Sequence, residues 1–242
     1  MSLTSASGII TGMKEYIYRG MQQLPIVLAS TSLLFTVTTG SIAHLNLFLG
    51  LSVLMPLYTF MLQTIFSFLV PLISTDTISW KRATGDTCDL VGALRDKKIT
   101  LDQFTKSDSI ATPSYWITSL GFFFGYAASN IVDMFKHPSS DGASDVNKER
   151  RHSHSMFIAI NISVFFLIIF ATRLWFMRGC DGLGALGLII SYVSAFIASL
   201  LGYTTYDFSK QCGARSTDLF GVLSQLLPSS AGASNPIVCT TD

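Results

Sequence analysis

The chain alternates long apolar runs with shorter polar ones. From Gly20 to Thr75, 56 consecutive residues contain no Asp, Glu, Lys or Arg. Such a run can bury its side chains in lipid, where a charge near the midplane costs on the order of 3 kcal/mol. A helical span needs roughly 20 apolar residues, and this run holds two: Leu24 to Ala43 and Leu47 to Val70. His44, Leu45 and Asn46 form the only plausible turn between them, so residues 23–72 are expected to form a tight transmembrane helical hairpin. Pro56 falls inside the second span and predicts a kink, and Pro71 marks its end.

Two further runs read as spans: Met156 to Ala171, and Gly182 to Tyr203. They place two transmembrane helices within residues 156–206. Arg173 and Arg178 flank Trp175 just after the first of them, a pattern of interfacial anchors. Residues 115–132 are a third span in chain order, short and more polar, with Thr118, Ser119, Ser129 and Asn130. They cross the membrane only if packed against neighbours; otherwise they lie in the interface or re-enter.

The polar segments predict smaller elements. Ile9, Ile10, Met13, Ile17 and Met21 share a helical face, so residues 1–22 read as an interfacial helix. Within residues 73–114, Thr87 to Lys97 reads as a short helix, and Thr100 with Gln103 fits a capping box for a second. The stretch LRDKKITLDQF resembles a short helical oligomerisation motif of some bacterial proteins, one residue shorter and with lysine where that motif has glycine. Residues 133–155 read as a polar loop. Residues 207–242 form a tail whose one helix, capped by Ser216 or Thr217, carries Leu219, Phe220, Leu223, Leu226 and Leu227 and stops at Pro228. The fold class is therefore all-α: a polytopic membrane protein with four or five transmembrane helices and short amphipathic interfacial helices.

Charge divides the two counts. Five spans leave ten of the 16 Lys/Arg on one side and six on the other; omitting 116–132 leaves 14 and two. Positive-inside logic favours four spans with both termini cytoplasmic, and hydropathy favours five. Residues 1–8 hold no basic residue, so no secretory leader is expected and the first span is expected to serve as its own insertion signal. Composition agrees: 13% of residues are charged and the mean hydropathy is +0.48, against roughly 25% charged in soluble domains. The net charge of +1 suggests no nucleic-acid partner.

Candidate chemistry is sparse. Gly182, Gly184 and Gly187 spell GxGxxG, but a dinucleotide site needs a preceding strand; here a charged turn precedes and a span follows. The glycines instead begin a small-residue stripe, Gly187, Ser191, Ala195 and Ser199, and residues 115–132 carry another at Gly121, Gly125 and Ser129. Stripes of this spacing let helices approach closely. Asn161 opens a glycosylation sequon that lies mid-span, out of reach of glycan transfer, so its carboxamide is expected to hydrogen-bond a neighbouring helix. His137, His152 and His154 share a polar loop without the convergent ligands a metal site needs. Cys212 and Cys239 bracket the tail helix. A disulfide between them would close a loop of roughly 28 residues and contribute about 3 kcal/mol at most; free thiols are the alternative.

No Asp, Glu, Lys, Arg or His lies inside any of the five runs, unlike the usual coupled transporter or proton pump. No nucleophile–base set or phosphate loop is recognisable. The sequence thus predicts no enzyme, no cofactor and no metal.

Residues 112–116 (TPSYW) leading into Phe122, Phe123, Phe124 and Gly125, and the tail segments 212–215 (CGAR) and 218–221 (DLFG), resemble the multi-pass virion membrane and minor capsid proteins of large icosahedral DNA viruses. The resemblance implies a structural role, with spans in an internal virion membrane and polar loops against capsid proteins. The expectation is a structural integral membrane protein that links a bilayer to a protein assembly, found in a virion internal membrane and in host membranes. The alternatives are a channel or transporter component, or an accessory subunit of an organellar membrane complex.

Overall fold

The computed structural model describes residues 3–73, 80–82, 110–136, 145–176, 178–211 and 219. These are mostly helical. Helix α1 spans Leu3–Thr39, α2 Ile42–Leu49 and α3 Met55–Ile73, with a π-helical stretch Gly50–Leu54 joining the last two. Helix α4 spans Tyr115–Lys136, α5 Asp145–Phe176, α6 Arg178–Asp181 and α7 Ala185–Gln211. Two short strands, β1 (Lys81–Arg82) and β2 (Ile110–Ala111), pair antiparallel, a small departure from an all-helical chain.

By length and composition, three helical stretches can cross a membrane: Ile42–Ile73, Ser155–Leu174 and Ala185–Gln211. The apolar part of α1, Gln23–Thr39, is shorter. Five of its six hydroxyls suit an apolar setting, because Thr31, Ser32, Thr36, Thr38 and Thr39 each donate to a carbonyl four residues back. Helix and side chain together satisfy their polar groups internally.

The first two runs pack as neighbours, but the chain turns earlier than their polar break suggests. The bend is at Gly40, with φ of +65°, a conformation glycine adopts without steric cost. His44, Leu45 and Asn46 are helical. The expected separate N-terminal helix also merges with the first span: α1 is continuous over 37 residues with Pro25 inside it. At 1.5 Å per residue it reaches about 55 Å, well beyond a hydrocarbon core of about 30 Å.

The expected irregularity near Pro56 takes a definite form. The N–H of Met55 bonds the carbonyl of Gly50 in π register. A π-bulge just before a proline absorbs the ring without breaking the helix. Helix α3 continues past Pro71 to Ile73.

Helix α4 stands at the centre. It runs parallel to α7, with Gly121 against Ala195, Gly125 against Ser199 and Ser129 bonded to Asp207. Helix α3 passes it antiparallel, where Thr59 meets Thr118 at 2.7 Å and Gln63 donates to the Pro113 carbonyl at 2.7 Å. Helix α5 is antiparallel too, with Phe166 stacked on Phe124 and Phe170 beside Trp116. Most of α4 is buried, which is why a sequence this polar holds its place.

Two expected boundaries shift. Helix α4 ends at Lys136, not 132, and α5 begins at Asp145, so residues 145–154, expected as loop, are helical. The expected short helices at 87–97 and 100–103, and the tail helix apart from Leu219, lie outside the described residues.

Candidate functional site

The start of α4 gathers several side chains bonded to distant parts of the chain. Tyr115 and Trp116, consecutive and at the helix N-terminus, point to different neighbours. A proline inside a helix leaves an upstream carbonyl without its donor. For Pro25 in α1 that carbonyl is Met21, and the Trp116 indole N–H donates to it at 2.6 Å. In the π-helical stretch the register assigns the Leu51 carbonyl to Pro56, which has no N–H, and the Tyr115 hydroxyl donates to it at 2.5 Å. Two adjacent aromatic residues thus fill two proline vacancies in two helices. Trp116 is buried.

Beneath Trp116 lies an ion pair. The Arg173 guanidinium bonds Asp181 through Nη2 at 2.9 Å and Nε at 3.1 Å. The two side chains are 1% and 0% exposed, so Arg173 is an interior group and not the interfacial anchor its position suggested. The guanidinium lies 4.3 Å from the Trp116 ring centre. Ser114 donates to the Asp181 carboxylate at 3.1 Å, and the Ser191 hydroxyl bonds the Asp181 backbone carbonyl. A buried pair of this kind holds only if its remaining hydrogen-bonding capacity is met, and Ser114 helps to meet it.

The same end carries the strand pair. Leu183 N–H donates to the Lys81 carbonyl at 2.9 Å, and the Thr112 hydroxyl to the Trp80 carbonyl at 3.0 Å. The polar segments before α4 and before α7 are therefore tied to each other and to the Arg173–Asp181 pair. Cys180, in α6, is disulfide-bonded. Cys88, Cys212 and Cys239 all lie outside the described residues, and so does the suggested Cys212–Cys239 bond.

Along the seam, the two small-residue stripes face each other in part. A Cβ on Gly121 would overlap the Ala195 carbonyl, and one on Gly125 the Ser199 carbonyl. Gly202, which the stripes did not include, lies against the Phe122 carbonyl in the same way. Ser191 is drawn to the Asp181 turn instead, and Gly187 packs against Gly182. The GxGxxG glycines thus shape a tight entry into α7.

The far end of α4 holds a second polar cluster that hydropathy did not single out. Lys210 pairs with Asp133. Tyr206 donates to Asp133 at 3.3 Å and accepts from Asn130 at 2.8 Å. Asn130 also accepts from the Leu219 N–H at 3.4 Å, and the His44 ring meets the Leu219 carbonyl at 3.2 Å. Leu219 is buried between these partners, beside Tyr126 and Tyr206. The tail thus returns to the bundle at this point.

The remaining sequence candidates are dispersed. Asn161 donates to Phe157 in its own helix and is exposed, so it does not reach the neighbouring helix expected for it. His152 and His154 belong to α5 and not to a loop; His137 lies outside the described residues. Among the described residues no group of three or more His, Cys, Asp or Glu is placed to hold a metal ion. No family model matches the chain, and no curated protein or solved structure is detectably similar to it.

Proposed function

We propose that this chain is a structural membrane protein with five spans, which anchors a protein assembly to a bilayer. The observation that carries this reading is the tied platform at the start of α4. Strand pairing, the Leu183–Lys81 bond and the Arg173–Asp181 pair fasten two polar segments to the membrane bundle. Such a fastened polar surface transmits force from a partner to the spans without local unfolding. Helix α1 adds reach, since its residues before Met21 continue past the level of Trp116 at the same end.

The five-span count rests on α4 keeping step with α7. Ser114 meets Asp181 at one end and Asp133 meets Lys210 at the other. A helix alongside a spanning neighbour over that length traverses the same depth. Thr118, Ser129, Asn130 and Asp133 spend their polar groups on interhelical bonds, which supports a building role over a conducting one. The assembly suggested by the TPSYW and CGAR segments is a virion shell.

Photo-crosslinking from Ile110, an exposed position on β2, tests the reading in intact membranes or particles. The expected product is an adduct with another polypeptide. Absence of any such adduct, or solute flux in liposomes that depends on this chain alone, would overturn it.

A further inference from the structure

Helix α5 is the least enclosed of the three apolar helices: 17% of its apolar window is buried, against 28% for Ile42–Ile73 and 39% for α7. One of its open faces carries Phe157, Asn161, Val164, Phe165 and Ile168 at helical spacing. The four apolar members are 65%, 49%, 45% and 60% exposed. Asn161 is exposed among them and bonds only the Phe157 carbonyl of its own helix. Its carboxamide oxygen and second N–H therefore face the bilayer.

The depth of this group matters. Ser155–Leu174 is 20 residues long, so Asn161 lies about 5 Å from the middle of the span at 1.5 Å per residue. Water is not at hand there, and unsatisfied polar groups in hydrocarbon are costly. Interhelical hydrogen bonds between such side chains are a recognised source of helix association.

We propose that this face of α5 is a self-association surface, on which Asn161 hydrogen-bonds Asn161 of a second copy. Two arguments select a second copy over another membrane protein. A carboxamide is both donor and acceptor, so it complements itself across a twofold axis. Copies inserted in one orientation also place Asn161 at one depth, so the match needs no coincidence. The apolar residues flanking Asn161 supply the packing around that bond. This inference rests on α5 lying in the bilayer, not on which assembly the platform contacts.

The test uses the full chain in phosphatidylcholine vesicles, labelled separately with donor and acceptor fluorophores. Energy transfer is followed as the protein-to-lipid ratio falls. The wild type is expected to associate. Asn161→Leu, which removes only an exposed carboxamide, is expected to raise the dissociation constant by about 3- to 30-fold, the range of measured interhelical bonds. Asn161→Gln should restore much of the association, and Leu167→Ala, away from this face, should leave it unchanged. A wild type that stays monomeric at every ratio, or an Asn161→Leu variant that associates as well as wild type, would overturn the proposal. Failure of the Ile110 crosslink would not, since that reports on the platform.

Discussion

The Trp116 indole N–H fills the Met21 carbonyl that Pro25 leaves without a donor. This relationship explains why a tryptophan at a helix start is buried and why α1 keeps its course through a proline. It also gives a test. Trp116→Phe should destabilise the fold by about 1–3 kcal/mol, the usual cost of a buried group left unsatisfied. In a Pro25→Ala background the helix regains its own N–H donor. The cost of Trp116→Phe should then fall by about 1 kcal/mol, the residue being the lost contact with Arg173. Unfolding measured in mild detergent over the four-variant cycle checks this; equal costs in both backgrounds would remove the carbonyl from the explanation.

The pair Tyr115 and Leu51 makes the same argument in the π-helical stretch. Tyr115→Phe removes the donor at 2.5 Å without changing the ring, so about 1–2 kcal/mol should be lost. Pro56→Ala should remove most of that penalty, because the helix then has an N–H for its own carbonyls. Hydrogen exchange at residues 51–57 in detergent reads the local effect. Faster exchange in Tyr115→Phe that Pro56→Ala does not reverse would count against the assignment.

Much of this was legible in the sequence, and the failures have physical causes. Hydropathy found the apolar runs because their side chains are largely exposed on the outside of the bundle. It undervalued 115–132 because α4 meets mostly protein: Thr118 bonds Thr59, and Asn130 bonds Tyr206. The four-residue spacing of Gly121 and Gly125 carried that information instead. His44 passed for a turn residue because its partner is 175 positions away in the chain, while Gly40 held the true turn signal. Arg173 passed for an anchor because Asp181 follows in a segment that itself looked like a polar turn. The partners of Pro25 and Pro56 were invisible for the same reason: no local pattern names a donor about 60 to 90 residues downstream.

The glycine seam predicts a graded response. Gly125→Ala places a methyl on the Ser199 carbonyl, a backbone atom that cannot swing aside. Parting α4 from α7 should cost about 1–3 kcal/mol, as overpacking usually does. Gly121→Ala should act similarly against Ala195. Gly20→Ala is the control: nothing lies within 4 Å of its added Cβ, and alanine is the better helix former by about 1 kcal/mol. Thermal unfolding that ranks Gly20→Ala at or above wild type and both seam variants below it is the expected order. Seam variants as stable as wild type would mean that the two helices need no close approach.

The Arg173–Asp181 pair separates holding a shape from holding a charge. Breaking a buried pair by removing one member typically costs about 3–5 kcal/mol, because the other charge stays buried alone. Arg173→Met and Asp181→Leu should each fall in that range. Arg173→Met should also release Trp116 from the guanidinium 4.3 Å away, shifting its fluorescence. The double variant Arg173→Met/Asp181→Leu removes both charges and should recover most of the loss, since an apolar replacement of a buried pair is often neutral. Ser114 limits that recovery, as its hydroxyl then loses its carboxylate acceptor, whereas Ser191 keeps the backbone carbonyl it bonds. If the double variant is as unstable as the sum of the singles, the two side chains act independently and the pair does not fasten the platform. If it recovers stability yet loses the Ile110 crosslink, the ion pair serves the geometry of the partner surface more than the stability of the bundle.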